Sequence, residues 1–335
     1  MNRFIYLVSG VLFLSCCGQK SATKGVDIPV VTSDVTSSNN PVVVPVFNAD
    51  SAYSYVAAQV AFGPRVPNTE AHKACANYLV SELERHGAKI YIQEAVLTAY
   101  NGDKLKAKNI IGAFNPEMSR RVMLFAHWDS RPYADWDDDK ANHSKPIDGA
   151  DDGGSGVGVL LEIARLMGEN APDIGVDIIF FDAEDYGTPE FVSKYTPDSW
   201  CLGSQFWAKK PHFPNYKAEY GILLDMVGSK GATFYKEGHS VKFASMHVEK
   251  VWATARNLGY GKYFINANGD TIVDDHEYVI KGRGIPCIDI INLNPKGKKH
   301  GFGEHWHTMN DNMTVIDKAT LKAVGQTVLE VLYKD

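Results

Sequence analysis

The chain has 335 residues and a formal net charge of −6, so it is long enough for one large domain or two small ones. Its charge gives no reason to expect a nucleic acid or an anionic lipid surface as a partner. Hydrophobic residues make up 44% and charged residues 22%, a composition that excludes a disordered chain and a bundle of membrane helices.

The first twenty residues differ from the rest. Arg3 precedes an apolar run of roughly ten residues, which is too short to span a bilayer and is typical of a secretory signal. The following "FLSCCG" resembles the cleavage site of a bacterial lipoprotein, with Cys16 favoured over Cys17 as the lipidated residue. An ordinary signal peptide with incidental cysteines is the alternative. We therefore expect an exported bacterial lipoprotein of the cell envelope, held on a periplasm-facing membrane by its lipid anchor alone.

Three segments follow from the composition. Residues 1–16 are interpreted as the lipoprotein signal peptide, residues 17–45 as a flexible tether, and residues 46–335 as one folded domain. The domain contains Cys75, Cys201 and Cys287, which are far apart and lack CxxC spacing. At most one disulfide could form among them, and buried free thiols are the favoured interpretation.

Helical and strand patterns alternate along the domain. In chain order they predict helices near 49–62 and 70–86, strands in "AKIYIQEAVLTAY", "KAKNIIGAF" and "RVMLFAHW", a helix in "GVGVLLEIARLM", strands in "VDIIFFDAED" and "YGILLDMV", a helix in "SVKFASMHVEKVWATARNLG", a strand in "IPCIDIIN" and a last helix over 317–333. Continuous apolar strands between helices indicate a sheet that is covered on both faces. The prediction is a single α/β domain with a central, mostly parallel mixed sheet flanked by helices on both faces.

Polar residues follow three of these strands. His127 ends one strand, Glu184 and Asp185 follow the next, and Asp225 ends a third. Sites in open α/β sheets form beyond the carboxyl ends of the strands, so these side chains are candidate site residues.

Two acidic stretches indicate metal chemistry. In "DGADDGGSG" (148–156) an aspartate could simply cap a helix, and in "FFDAED" the adjacent carboxylates could form a salt-bridged pair. Alternatively, one carboxylate of the pair binds a cation while the other stays free as a general base. Asp152, Asp185 and His307 would then form an O,O,N zinc set with one open position. His127 and Asp225 could complete a second metal site that shares a carboxylate.

Several motifs together resemble the animal-type (type II) glutaminyl cyclases, or glutaminyl-peptide cyclotransferases, of the zinc aminopeptidase superfamily. The superfamily pattern is "HWDS", "GADDGGSG", "FFDAED", "LLDMVG" and "HTMNDN". The segments "FGPRVPNT", "NIIGAFNPE", "VDDHEYVIKGRGIPCIDII" and "WHTMNDN" are similar to those of the cyclases in particular, and the resemblance covers roughly residues 50–333.

The resemblance implies an enzyme that cyclises N-terminal glutaminyl residues of peptides and proteins to pyroglutamate and releases ammonia. By position, one zinc ion would bind Asp152, Asp185 and His307, and Glu184 would be the general base and then the general acid. Asp225 and Asp274 match carboxylates of a network beside it, and Trp306 and Phe302 match residues that line the glutaminyl pocket. The second carboxylate of the pair is usually glutamate in the family, so Asp185 is one methylene shorter; Val273 stands where the animal enzymes carry a polar residue.

Two other functions fit parts of the sequence. A two-metal aminopeptidase of the same fold would use His127 and Asp225 as ligands and hydrolyse N-terminal residues. A catalytically dead binding domain is disfavoured because Glu184 and the zinc set are all present. The acidic stretch 135–139 is interpreted as a solvated loop, with calcium binding as an alternative.

Overall fold

The structure, a computed structural model, describes residues 42–335. The expected signal peptide, the lipidated cysteine and residues 17–41 of the tether lie outside these residues. The helices are α1 (Ala49–Val60), α2 (Glu70–Arg85), α3 (Gly154–Glu169), α4 (Leu202–Lys209), α5 (Gly238–Asn257), α6 (Asp275–Arg283) and α7 (Lys318–Tyr333). The strands are β1 (Lys89–Thr98), β2 (Lys104–Phe114), β3 (Arg121–His127), β4 (Gly175–Phe181), β5 (Gly221–Asp225), β6 (Phe234–Lys236), β7 (Phe264–Asn268) and β8 (Cys287–Ile291).

Six strands form one mixed sheet in the order β1-β2-β4-β3-β5-β8. Strands β4, β3, β5 and β8 run parallel to one another, whereas β2 is antiparallel to both β1 and β4. The short β6 and β7 pair separately. The predicted mostly parallel mixed sheet is therefore confirmed, and its two antiparallel pairings, β1–β2 and β2–β4, lie together at one edge.

Both faces of this sheet are buried. Along β3, Val122 and Leu124 pack into the larger apolar core with α1, α3 and α7, while Met123 and Phe125 pack into a second core with α4 and α6. Successive side chains of a strand point to opposite faces, so this division requires helices on both sides. It also explains why the central strands are continuous apolar runs without alternation.

Two helices, α4 and α6, are absent from the elements predicted from the sequence. Helix α4 has only eight residues, and α6 buries Asp275, His276 and Glu277 together with two apolar residues. The buried face of α6 is thus partly ionic, which hides it from a hydrophobic pattern.

The three cysteines of the described domain are free and buried, which confirms their interpretation as thiols. Among residues 42–335, no helix combines the length and apolar character needed to cross a membrane.

Candidate active site

The site lies at the carboxyl edge of three neighbouring parallel strands. His127 is the last residue of β3, Asp225 is the last residue of β5, and β4 leads into Glu184 and Asp185. The carboxylate of Asp129 accepts hydrogen bonds from the backbone N–H groups of Glu184 (3.0 Å) and Asp185 (3.2 Å). These hydrogen bonds connect the segment after β3 to the segment after β4. They fix the backbone positions from which the side chains of Glu184 and Asp185 project.

Several turns at the site require unusual backbone angles. Ala183, Met226 and His307 have φ values of 54°, 49° and 53°, although none is a glycine. Each stands beside or at a site residue, as strained residues at functional sites often do. Gly153 has φ of 83°, and a Cβ atom there would lie 2.7 Å from the carbonyl oxygen of Asp129. Only glycine therefore fits directly after Asp152.

Asp152, Asp185 and His307 are brought together as the sequence predicted. Each offers a donor atom within 4.8 Å of the others, and all three are buried. The Nε2 atom of His307 lies 3.3 Å from Oδ1 of Asp185 and 3.6 Å from Oδ2 of Asp152. No hydrogen-bond partner is present for Oδ2 of Asp185 among the described residues. A buried carboxylate oxygen without a donor is costly, and a cation would satisfy it.

The donor set fits zinc. Burial, and then the nearby Arg131, lower the pKa of His307 well below its usual value, so its imidazole is neutral and able to bind a metal. Two carboxylates and one neutral imidazole leave an open position for substrate, as catalytic zinc sites do. The shorter side chain of Asp185 still brings its oxygen to the set.

A second layer of residues surrounds the three candidate ligands. The guanidinium of Arg131 donates two hydrogen bonds of 2.7 Å to Asp135 and one of 3.2 Å to Oδ1 of Asp185. Oδ1 of Asp135 lies 3.6 Å from Nδ1 of His307, on the side of the ring away from the other ligands. The ring of Trp200 stacks on His307 with 5.9 Å between centroids, and Arg131 lies 4.5 Å above Trp200. These partners fix the positions of the candidate ligands, as outer-shell residues of metal sites typically do.

The sequence patterns do not predict that Arg131 and Asp135 belong to the site. Asp135 was interpreted as part of a solvated loop, but its side chain is buried against Arg131, so that interpretation is wrong for this residue. Asp137 and Asp139 accept hydrogen bonds from backbone N–H groups of their own loop or of Met309. These two acids therefore act as structural acceptors within the loop, and calcium binding there stays an untested alternative. The "RPYAD" spacing of Arg131 and Asp135, four residues apart, was the available signal.

His127 lies inside the site, between two carboxylates. Its Nε2 atom is 3.0 Å from Oδ1 of Asp152 and 3.3 Å from Oδ1 of Asp225. Burial opposes a charge on this ring, but contacts with Asp129, Asp152 and Asp225 raise the pKa of His127 well above its usual value. An imidazolium that bridges Asp152 and Asp225 accounts for the geometry, and the same three residues could also hold a second metal.

Glu184 stands beside this cluster with an altered acidity. Burial raises the pKa of Glu184 well above its usual value, and the nearby Asp185 and Asp274 raise it further. Burial also raises the pKa of Asp225, to about 6, and that of Asp274 well above its usual value. Carboxyl groups that share a desolvated space hold protons that isolated ones would lose, which suits a general base and acid working near neutral pH.

A pocket of about 250 Å³ opens onto these groups. Its apolar wall includes Phe302, Trp306 and Ile291, and its floor includes Glu184 and the three proposed zinc ligands. The ring of Trp306 stacks on that of His307 with centroids 3.7 Å apart and contacts Phe302 at 4.8 Å. The structure thus places Trp306 and Phe302 where the resemblance requires them, and their contact with substrate stays a prediction.

Comparison with known proteins identifies the family. The model of Peptidase family M28 matches residues 109–332. The crystal structure of Tannerella forsythia glutaminyl cyclase is 72% identical and superposes with a TM-score of 0.85, covering 87% of this chain and 100% of that one. A Zn-dependent exopeptidase from Parabacteroides distasonis is 71% identical with a TM-score of 0.87, covering 88% and 100%.

A more distant relative is the glutaminyl-peptide cyclotransferase of Bos taurus, which is 29% identical over 258 residues. The aligned region covers 67% of this chain and 66% of the bovine protein, slightly less than two thirds of the relative's length. The resemblance to glutaminyl cyclases is confirmed by these relatives, and the family match over residues 109–332 shows that the chain belongs to peptidase family M28.

Proposed function

We propose that this protein is a zinc-dependent glutaminyl-peptide cyclotransferase, which converts an N-terminal glutaminyl residue to pyroglutamate and releases ammonia. The observation that carries the proposal is the position of Glu184, a buried carboxylate of raised pKa on the floor of the small pocket that Trp306 and Phe302 enclose. The glutaminyl cyclase structures at 72% and 57% identity support the same activity.

Asp152, Asp185 and His307 would hold one zinc ion per chain. Zinc bound there would polarise the γ-carboxamide carbonyl of the substrate and stabilise the negative charge that develops on its oxygen. The pocket is smaller than most ligand sites, which range over ~300–1,000 Å³, so it suits one side chain better than a longer peptide segment.

Glu184 performs the proton transfers. Its carboxylate accepts a proton from the substrate's α-amine as the amine nitrogen forms a bond to the γ-carboxamide carbon. It then gives that proton to the departing nitrogen as the bond to ammonia breaks. The nucleophile belongs to the substrate itself, so the walls formed by Trp306 and Phe302 accelerate the reaction by holding amine and carboxamide close together. Asp274 and Asp185 keep the proton affinity of Glu184 high, and Asp225 in turn raises the pKa of Asp274.

Aminopeptidase activity is the second candidate, because His127, Asp152 and Asp225 lie close enough together to bind another metal ion. Hydrolysis requires a water molecule that is activated as the nucleophile, which a second metal would favour. In the cyclase, His127 instead stays a hydrogen-bond partner of Asp152.

The two candidates give different products. Purified protein would be incubated with a peptide that begins with Gln and with a matched peptide that begins with Leu, and both would be followed by mass spectrometry. A cyclase removes the mass of one ammonia from the Gln peptide and leaves the Leu peptide intact. Release of free leucine without loss of ammonia would refute the proposal.

The sequence also supports a proposal about location and substrates. A lipid anchor on Cys16 would place the enzyme in the cell envelope, where exported proteins that begin with Gln are the substrates we propose. Cys16→Ser should move the protein from the membrane to the soluble fraction, whereas Cys17→Ser should not. A deletion strain that keeps full N-terminal pyroglutamate on its exported proteins would refute the substrate proposal.

A further inference from the structure

Cys201 is buried beside Glu184 and directly precedes α4. Its backbone N–H donates a hydrogen bond to the carbonyl oxygen of Glu184 (2.9 Å). The backbone N–H of Leu202 donates one to the carbonyl oxygen of Ala183 (3.0 Å). Both Cys201 and Ala183 have left-handed backbone angles, with φ of 56° and 54°. Two strained segments therefore hold each other in place, so the directions of the Cys201 and Glu184 side chains are fixed.

The side chains of these two residues also meet. The Sγ atom of Cys201 lies 3.1 Å from Oε1 of Glu184. The other oxygen, Oε2, lies 4.0 Å from Nδ1 of His127, and the side chain of Glu184 keeps 12% of its surface exposed toward the pocket that it lines. The thiol thus engages one oxygen of the carboxylate and leaves the other for the substrate.

Cys201 is protonated in this environment. Burial, and then the neighbouring Glu184, raise the pKa of the thiol well above its usual value, so it keeps the hydrogen that it donates. A thiol is a weak donor. Its contact with Oε1 nevertheless fixes the orientation of the Glu184 carboxylate.

We propose that Cys201 is a positioning residue for Glu184, whose S–H group fixes the rotation of the carboxylate so that Oε2 meets the substrate's α-amine. The inference rests on the proposed cyclase function. It assigns a role to a thiol that lies outside both the proposed zinc set and the lining of the pocket.

Two substitutions separate the hydrogen bond from the space that the sulfur fills. Cys201→Ala removes the donor, and Cys201→Ser keeps one; both retain the same strained backbone position. In the zinc-loaded full chain, we expect Cys201→Ala to lower kcat roughly tenfold with KM within about twofold of the unchanged protein, since one hydrogen bond to a charged group is lost. Cys201→Ser should recover most of that loss.

Cys75→Ala and Cys287→Ala are the matched controls, because both are buried free thiols that pack in the apolar cores. They should leave kcat unchanged even where they lower the melting temperature. The inference is overturned if Cys201→Ala keeps kcat within twofold, if Cys201→Ser is as slow as Cys201→Ala, or if the control variants lose kcat equally.

Infrared spectroscopy tests the hydrogen bond between Cys201 and Glu184 without relying on activity. It also tests this hydrogen bond if Cys201→Ala does not fold. The S–H stretching band of Cys201, assigned by difference from Cys201→Ser, should lie at lower frequency than those of Cys75 and Cys287 and should shift in Glu184→Gln. An unshifted band contradicts the hydrogen bond. A protein that cyclises no Gln peptide while showing the shifted band would refute the proposed function and leave the contact intact.

Discussion

Oδ1 of Asp152 lies 3.0 Å from Nε2 of His127, while Oδ2 of the same carboxylate faces His307. A one-metal site and a two-metal site differ at this contact. In the first, His127 is a hydrogen-bond partner that orients Asp152; in the second, it is a ligand. The proposed cyclase requires the first arrangement.

We therefore expect His127→Ala to keep about one zinc ion per chain, bound 10–100-fold more weakly because an orienting partner of Asp152 is lost. His307→Ala should lose the metal altogether, since it removes a ligand. Metal analysis after dialysis against a weak chelator measures both. A fall from two zinc ions to one in His127→Ala would show that His127 is a ligand.

Glu184→Gln should lower kcat by about 10²–10⁴-fold, the usual contribution of a general base, because an amide cannot accept the amine proton. The zinc content and the melting temperature should stay near those of the unchanged protein. Glu304→Gln is the matched control, since the side chain of Glu304 is 72% exposed on the segment that leads to Trp306. Comparable losses in the two variants would argue against a proton-transfer role.

Asp135→Asn tests the second layer of the zinc site. The substitution keeps the shape of the side chain but removes the charge that pairs with Arg131 and faces Nδ1 of His307. We expect zinc to bind 10–100-fold more weakly, as for other outer-shell changes. A competition titration with a chromogenic chelator gives the affinity.

Asp138→Asn is the control, because Asp138 belongs to the same loop and is exposed. It should leave the zinc affinity unchanged. Equal effects in the two variants would mean that loop charge in general, and not the contact with His307, supports the metal.

Stability at acid pH should depend on Glu237. Burial alone would raise its pKa, but the side chain accepts hydrogen bonds from His276 and from the backbone N–H groups of His239 and Ser240, which lower the pKa of Glu237 to about 2. The unfolded chain therefore binds this proton at higher pH than the folded chain. The resulting stability, roughly 3 kcal/mol, is fully present above about pH 4.5 and is lost as the pH falls toward 2.

Urea unfolding at pH 6 and at pH 3 measures this loss. Glu237→Gln should be less stable at pH 6 and should show a smaller difference between the two pH values. Glu70→Gln, at a side chain that is 93% exposed, should keep the full difference. If Glu237→Gln keeps the full difference in unfolding free energy between pH 6 and pH 3, groups other than Glu237 cause the loss of stability in acid.

The strands that carry the site were predictable because their apolar runs end abruptly in acids or histidine. His127, Asp185 and Asp225 follow β3, β4 and β5, and parallel strands bring such ends together. His307 and Trp306 lie on a segment without regular secondary structure. Ligand chemistry made His307 a candidate zinc ligand, whereas Trp306 was assigned to the pocket by the resemblance to known enzymes.

The supporting residues could not be predicted from patterns. Arg131 and Asp135 form a buried ion pair within what looked like a charged loop, and Trp200 reaches His307 from a segment of irregular backbone. Burial of charge depends on three-dimensional pairing, which leaves no periodic trace in the sequence. Helix α6 was missed for the same reason, because its buried face includes Asp275 and His276.

A metal titration shows directly whether one zinc ion per chain serves cyclisation. Metal-free protein would receive zinc in small steps while conversion of a Gln peptide and release of leucine from a Leu peptide are measured at each step. We expect cyclisation to rise to its maximum at about one zinc ion per chain, with no release of leucine. Leucine release that grows as a second zinc ion binds would instead identify a two-metal aminopeptidase.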